Sequence, residues 1–129
     1  MSDLAIQGIG QISVTARDLA RATRFYRDTL GLKHLFSAGN MAFFDCGGIR
    51  LMLAIPQMPE YNHPSSILYL NVPAIRPAFE ILKTRSVKFE SEPFLLEKLP
   101  DQDLWMAFFR DSEENLLALM SNQEHGSPN

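Results

Sequence analysis

The sequence predicts an α+β fold in which one domain holds two copies of a strand, helix, three-strand module. Three observations carry this. The word Met41-Ala42-Phe43-Phe44 returns unchanged as Met106-Ala107-Phe108-Phe109. A polar turn and a leucine-rich strand follow each copy, Leu51-Met52-Leu53 in the first and Leu117-Ala118-Leu119 in the second. Upstream of each copy an alternating strand leads into a helix in the same order. Such a repeat constrains architecture more tightly than local propensity does, because each copy is one supersecondary unit.

Taken in order, module one covers about residues 8–55. Its first strand spans 10–15, with Ile12 and Val14 on one face. Asp18 is placed to cap a helix whose apolar stripe is Leu19, Ala22, Tyr26 and Leu30, and Gly31 stands where a left-handed C-terminal residue belongs. A strand over 33–37 and the repeated hairpin complete the unit. Residues 56–64 form a linker rich in proline. Module two covers about 65–121, with a strand over 66–72. Its helix begins between Pro73 and Pro77, where a missing N–H costs least, and stops near Arg85. A strand is expected over 87–92, a loop over 93–103, the second hairpin, and a polar tail over 122–129.

Composition narrows the function classes. The chain has 129 residues, one domain's worth, with 46% hydrophobic and 21% charged residues, which excludes disordered and fibrous classes. Twelve Lys and Arg against fifteen Asp and Glu leave a net charge of -3, so no excess of positive charge is available for a phosphate backbone and no nucleic-acid partner is expected. Apolar runs are too short to span a membrane, and the opening Met1-Ser2-Asp3 lacks the basic start of a secretory signal, so a cytoplasmic location is expected. The single Cys46 forms no internal disulfide, and the three histidines show no metal-binding spacing.

Three segments carry a family resemblance. They are Ile9-Gly10-Gln11-Ile12-Ser13-Val14 with Asp18-Leu19, then Phe25-Tyr26-Arg27-Asp28-Thr29-Leu30-Gly31-Leu32, and Phe108-Phe109-Arg110-Asp111-Ser112-Glu113-Glu114-Asn115-Leu116. Together with the repeat they make the chain resemble the vicinal oxygen chelate superfamily, which includes glyoxalases, bleomycin-resistance proteins and extradiol dioxygenases. The resemblance implies two curved, mostly antiparallel sheets, each with a concave cup, and a homodimer. It also implies, in members with chemistry, one divalent metal held at positions that fall here on Gln11, Met52, Ile67 and Ala118. Of these only Gln11 carries an oxygen donor; Met52 is a soft thioether, and Ile67 and Ala118 have no donor atom, so no metal and no cofactor are expected. The family turn Asp-Pro-Asp-Gly-Asn is altered, with Ser112 for its proline and Glu114 for its glycine. A glutamate there is strained by a positive φ.

Strand alternation separates an aliphatic set, including Val14, Leu51, Leu53, Leu117 and Leu119, from a mixed face carrying Gln11, Ser13, Arg50, Met52 and Tyr69. The mixed face suits a small-molecule cavity. Gln11, Ser13, Arg50, Met52, Tyr69 and Trp105 are therefore the candidate ligand-binding residues. Gln11 is either a hydrogen-bond anchor or a strand residue bonded to its neighbour, and Arg50 either binds an anionic ligand or is solvated. Trp105 is either an aromatic wall or core, and parity does not say whether Phe43 and Phe108 or Phe44 and Phe109 face the cup. Cys46 reads as an unactivated thiol, and no catalytic residue is assigned. His34, His63 and His125 read as solvated, with His63 near the cup rim, and Glu90 with Glu92 as a wet edge. The reading is a metal-free binder of a small molecule. Its rivals are a lyase, isomerase or dioxygenase with a displaced metal, built from Gln11 and His63 or loop glutamates, and an interaction module whose cup is plugged by Tyr69, Trp105 and Met120.

Overall fold

A computed structural model describes residues 4–126. Its strands are β1 (Gln11–Thr15), β2 (Lys33–Ala38), β3 (Met41–Cys46), β4 (Ile49–Ala54), β5 (Leu68–Asn71), β6 (Phe94–Lys98), β7 (Asp103–Arg110) and β8 (Leu116–Gln123). Helix α1 (Leu19–Arg24) runs on into a π-helical turn at Phe25–Thr29, and α2 is Ile75–Thr84. Two four-stranded sheets result, ordered β1-β4-β3-β2 and β5-β8-β7-β6. In each, the first strand runs parallel to the last and the other pairs are antiparallel. Both strand, helix, three-strand units expected from the repeat are present, so the fold is α+β.

Local signals explain the helices. Asp18 caps α1, its Oδ1 accepting from Arg21 N at 3.1 Å, and Gly31 takes φ +77°. The start of α2 has no side-chain cap of its own; Gln123, at the end of β8, accepts from Ile75 N at 3.1 Å instead. That contact explains why β8 runs through residues expected in a polar tail. The tail is further tied down, because His125 Nδ1 lies 2.6 Å from Asp103 Oδ1 and Gly126 N donates to Asp103 Oδ2 at 3.0 Å. The Gly126 N–H and the His125 ring hold the Asp103 carboxyl below its usual range, and Asp103 raises His125. His125 is thus solvent-exposed, as expected, and also clamps the tail to Asp103. Residues 127–129 and Met1-Ser2-Asp3 lie outside the described residues.

One core joins both units. Val14, Leu51 and Leu53 of the first sheet and Leu117 and Leu119 of the second are at most 3% exposed, as the aliphatic parity requires. Burial of side chains this size is worth about 1.5–3 kcal/mol each relative to exposure. Phe44 pairs with Leu51 and Phe109 with Leu117, so these two aromatics fill the core, and Phe43 and Phe108 stand on the opposite, cup-parity face.

The expected strand over 87–92 is absent. Only Phe89 makes an isolated bridge, to Phe109, and the ladder strand is β6, inside the stretch expected to be a loop. The alternation of Val87 and Phe89 comes from plugging the core: the Phe89 ring meets Phe79 at 4.5 Å and Phe109 at 5.4 Å. A period-two pattern does not distinguish a plug from a strand. Pro93 precedes β6, an edge strand where the lost N–H is tolerated.

The turn between β7 and β8 ties the units together. Glu113 Oε1 accepts from Arg17 N at 2.7 Å and Asp18 N at 2.8 Å, and Oε2 accepts from Arg21 Nε at 2.7 Å. Tyr26 donates to Asp111 Oδ2 at 2.6 Å, and Asn115 Nδ2 to Thr15 O at 2.8 Å. Despite its burial, Glu113 titrates at about 2, because Arg21, the Arg17 and Asp18 N–H groups and the Ser112 hydroxyl all favour the carboxylate. Glu114 takes φ +71°, the left-handed conformation expected of the altered turn.

Candidate functional site

The site is built from the cup-parity face of both sheets. On β1, β4 and β3 the register sets Gln11 beside Arg50, Ser13 beside Met52, and Met52 beside Phe43. Arg50 Nε donates to Gln11 Oε1 at 2.8 Å, and Gln11 Nε2 approaches Met52 Sδ at 3.6 Å. The Arg50 guanidinium also lies 5.1 Å from the Phe43 ring centroid, within cation–π range. Phe36 stacks on Phe43 with centroids 4.5 Å apart and planes 26° apart. A stacked aromatic pair therefore carries a hydrogen-bonded cation over one of its rings.

The second sheet holds a related pair. Phe94 stacks on Phe108 at 6.2 Å, and Tyr69 meets Phe108 edge-on at 6.1 Å. Phe36 and Tyr69 are each 47% exposed, which leaves aromatic surface open to solvent on both platforms. Gln11, Ser13, Arg50 and Met52 are brought together on the first sheet, while Tyr69 lies on β5 of the second.

Trp105 is the exception and a correction. It pairs with Ser121 and sits one residue out of phase with Met106 and Phe108, so its ring is packed against the core on the helix side and does not wall the cup. For the same reason it does not help plug the cup. Phe36 and Phe94 were not singled out from sequence. A register shift between His34 and Phe36 turns Phe36 onto the face of Phe43, whereas simple alternation would leave it on the face of His34. Phe94 fell in the expected loop.

The four family metal positions do not fit a divalent cation. The single oxygen among them, on Gln11, already accepts from a guanidinium, whose charge opposes a second cation. Met52 offers a soft sulfur; Ile67 is apolar, and Ala118 is fully buried. Among the described residues no three His, Cys, Asp or Glu side chains cluster as ligands. His63 is near the end of β1, its carbonyl 3.5 Å from Thr15 Oγ1, with Nδ1 3.1 Å from Pro64 O. The His34 ring lies tilted against Phe44, with centroids 5.1 Å apart, and meets Ser37 Oγ at 2.9 Å. Glu90 and Glu92 pair separately, with Arg110 and Arg76. Burial raises the Cys46 thiol, with Asp45 adding to the rise, so this thiol is not activated.

A cavity of about 870 Å³ lies elsewhere, between the two units on the helix side. Ile12, Leu32 and Leu51 form one wall, and Leu70, Val72 and Ile81 form the other; Tyr69 and Asn71 reach it from β5.

Comparison with known proteins places this geometry. The model of the Glyoxalase/Bleomycin resistance protein/Dioxygenase superfamily matches residues 8–119, and the chain belongs to that superfamily. Similar solved structures include an integron cassette protein from the mobile metagenome of V. Cholerae, 17% identical with a TM-score of 0.75, covering 93% of this chain and 98% of that one. TnmS3, an antibiotic binding protein from Streptomyces sp. CB03234, is 21% identical with a TM-score of 0.75 over 94% of this chain and 100% of its own. Lactoylglutathione lyase from Agrobacterium tumefaciens is 20% identical with a TM-score of 0.67 over 91% and 95%. At these identities the likeness is one of fold. No helix among the described residues is long and apolar enough to cross a membrane.

Proposed function

We propose that this chain is a small-molecule-binding protein that takes a planar, partly aromatic ligand on the cup-parity face without a metal centre. The observation that carries the reading is the Arg50 to Gln11 bond: the sole oxygen at the family metal positions is committed to a cation that also rides on the Phe36–Phe43 stack. The arrangement supplies stacking surface and one fixed donor group, which orients a ligand bearing a carbonyl or anionic substituent. Gln11, Ser13, Arg50, Met52 and Tyr69 line it, joined by Phe43 and Phe108. The antibiotic-binding neighbour supports the same reading. The protein is proposed to work in the cytoplasm as a homodimer; β1 and β5 each end a sheet with one unpaired edge, which a second copy covers.

A thermal-shift screen of aromatic compounds tests the function. A ligand at 100 times its dissociation constant adds about 2.7 kcal/mol of stability, and Arg50→Gln diminishes the response to anionic members of the set. Silence across the set overturns the reading. Elemental analysis of protein purified without chelators and without a histidine tag is expected to show no stoichiometric metal. One equivalent of bound metal would favour the metal-dependent enzyme instead. Light scattering at the mass of one chain would remove the dimer.

A further inference from the structure

The cavity between the two units touches the aromatic face only at Tyr69, and the rest of its lining has a different chemistry. About 870 Å³ is within the range of small-molecule sites. Its walls are aliphatic: Ile12, Leu32 and Leu51 on one side, Leu70, Val72 and Ile81 on the other. No carboxylate lines it, and its one charged residue is Arg85, at the C-terminal end of α2. The Arg85 guanidinium makes one hydrogen bond, Nη1 to Thr29 O at 2.8 Å, which leaves other N–H donors at the mouth. An aliphatic trough with a single cation at its rim complements a molecule that has an apolar body and an anionic end.

We propose that this trough is a second binding site, for an aliphatic carboxylate whose chain lies between Leu51 and Leu70 and whose head meets Arg85. The chain displaces water from apolar walls, the dominant favourable contribution at such a site. The head accepts charge-assisted hydrogen bonds from a guanidinium shaped to receive a carboxylate. The two sites meet at Tyr69 but have separate charged anchors, Arg85 here and Arg50 on the aromatic face.

Cys46, the sole cysteine, lines the trough and provides a readout. The full chain is treated with iodoacetamide while dodecanoate, or dodecanol as the neutral comparison, is titrated below its micelle concentration. Dodecanoate is expected to slow Cys46 alkylation saturably and to bind roughly tenfold more tightly than dodecanol, as a charged hydrogen bond implies. Arg85→Gln is expected to remove that preference while leaving dodecanol binding unchanged. Ile81→Glu, at a position 48% exposed and so tolerant of charge, is expected to abolish dodecanoate protection. Thermal melts confirm that both variants fold. Arg50→Gln is expected to leave dodecanoate binding intact, so failure at the aromatic face and failure here are separable. Absence of protection, equal affinity for the acid and the alcohol, or a thiol already shielded in proportion to protein concentration would overturn the proposal; the last result would assign the trough to a second copy of the chain.

Discussion

The two units offer each other equivalent parts and use them differently. On one side the β7–β8 turn meets α1, and Glu113, Asp111 and Asn115 fill the junction with hydrogen bonds to Arg17, Asp18, Arg21, Tyr26 and Thr15. On the other side the β3–β4 turn and α2 line opposite parts of an open trough, with Cys46 and Gly47 on one side and Ala78, Ile81 and Arg85 on the other. The difference is in the turn sequences. Asp111-Ser112-Glu113-Glu114-Asn115 carries two acids that reach across, while in Asp45-Cys46-Gly47-Gly48 the acid is turned inward, Asp45 Oδ1 accepting from Gly48 N at 3.1 Å. A repeat thus preserves backbone architecture while side chains at a single turn decide whether a junction closes or stays open.

The largest test of this contrast is Glu113→Ala. It strips part-buried N–H groups at Arg17 and Asp18 of their acceptor and leaves Arg21 unpaired, and is expected to cost about 2–3 kcal/mol, read as a fall in urea midpoint at unchanged slope. A loss no larger than that of a surface substitution would mean the clamp is not what closes the junction. Tyr26→Phe is expected to cost less, about 1–2 kcal/mol, because Asp111 keeps its bonds to Glu113 N and Asn115.

The pH dependence follows from the same residues. Glu113 titrates at about 2 when folded and near 4.5 when unfolded, so its contribution is full above about 4.5 and disappears as pH falls toward about 2. Glu113→Gln is expected to flatten that part of an acid titration followed by circular dichroism. Tyr26 is shifted the other way: burial first, and then the Asp111 charge, raise its hydroxyl well above 10. Stability is therefore expected to fall at pH above about 10, where the unfolded tyrosine ionises and the folded one does not, and Tyr26→Phe to remove that loss.

The smallest effects come from the turns themselves. Glu114→Gly relieves a left-handed glutamate and is expected to gain about 0.5–1 kcal/mol, less than the strain removed because glycine also loosens the unfolded chain. Gly47→Ala, at φ +62° with open space around the added carbon, is expected to lose about 1 kcal/mol. If both changes were neutral, turn conformation would drop out of the comparison and leave side-chain chemistry alone.

Much of the fold was legible because its signals are local. The repeated Met-Ala-Phe-Phe word located both hairpins, Asp18 and Gly31 bracketed the first helix, and parity sorted Val14 and Leu51 from Gln11 and Arg50. What was not legible depends on contacts between distant segments. The plug formed by Val87 and Phe89 imitates a strand until α2 is seen above it, and the bulge in β2 that turns Phe36 outward leaves no mark in the alternation. The sequence leaves Trp105 open between wall and core for a related reason: without the β7–β8 register, nothing separates an aromatic that walls a cup from one that seals a core. The site residues on β1 and β4 were accessible because they sit on regular strands. The bond between Arg50 and Gln11 was not, since parity puts two side chains on one face without saying that they touch.

Trp105 also determines how the molecule will look in a spectrometer. It is the only tryptophan in the chain, packed against the core, and its buried indole Nε1 meets no hydrogen-bond partner among the described residues. Its fluorescence therefore reports on the interior of the second sheet, shifting to the red on unfolding, and stays indifferent to a compound stacked over Phe36. Titrations that rely on intrinsic emission will register collapse of the protein and overlook occupancy of its aromatic face.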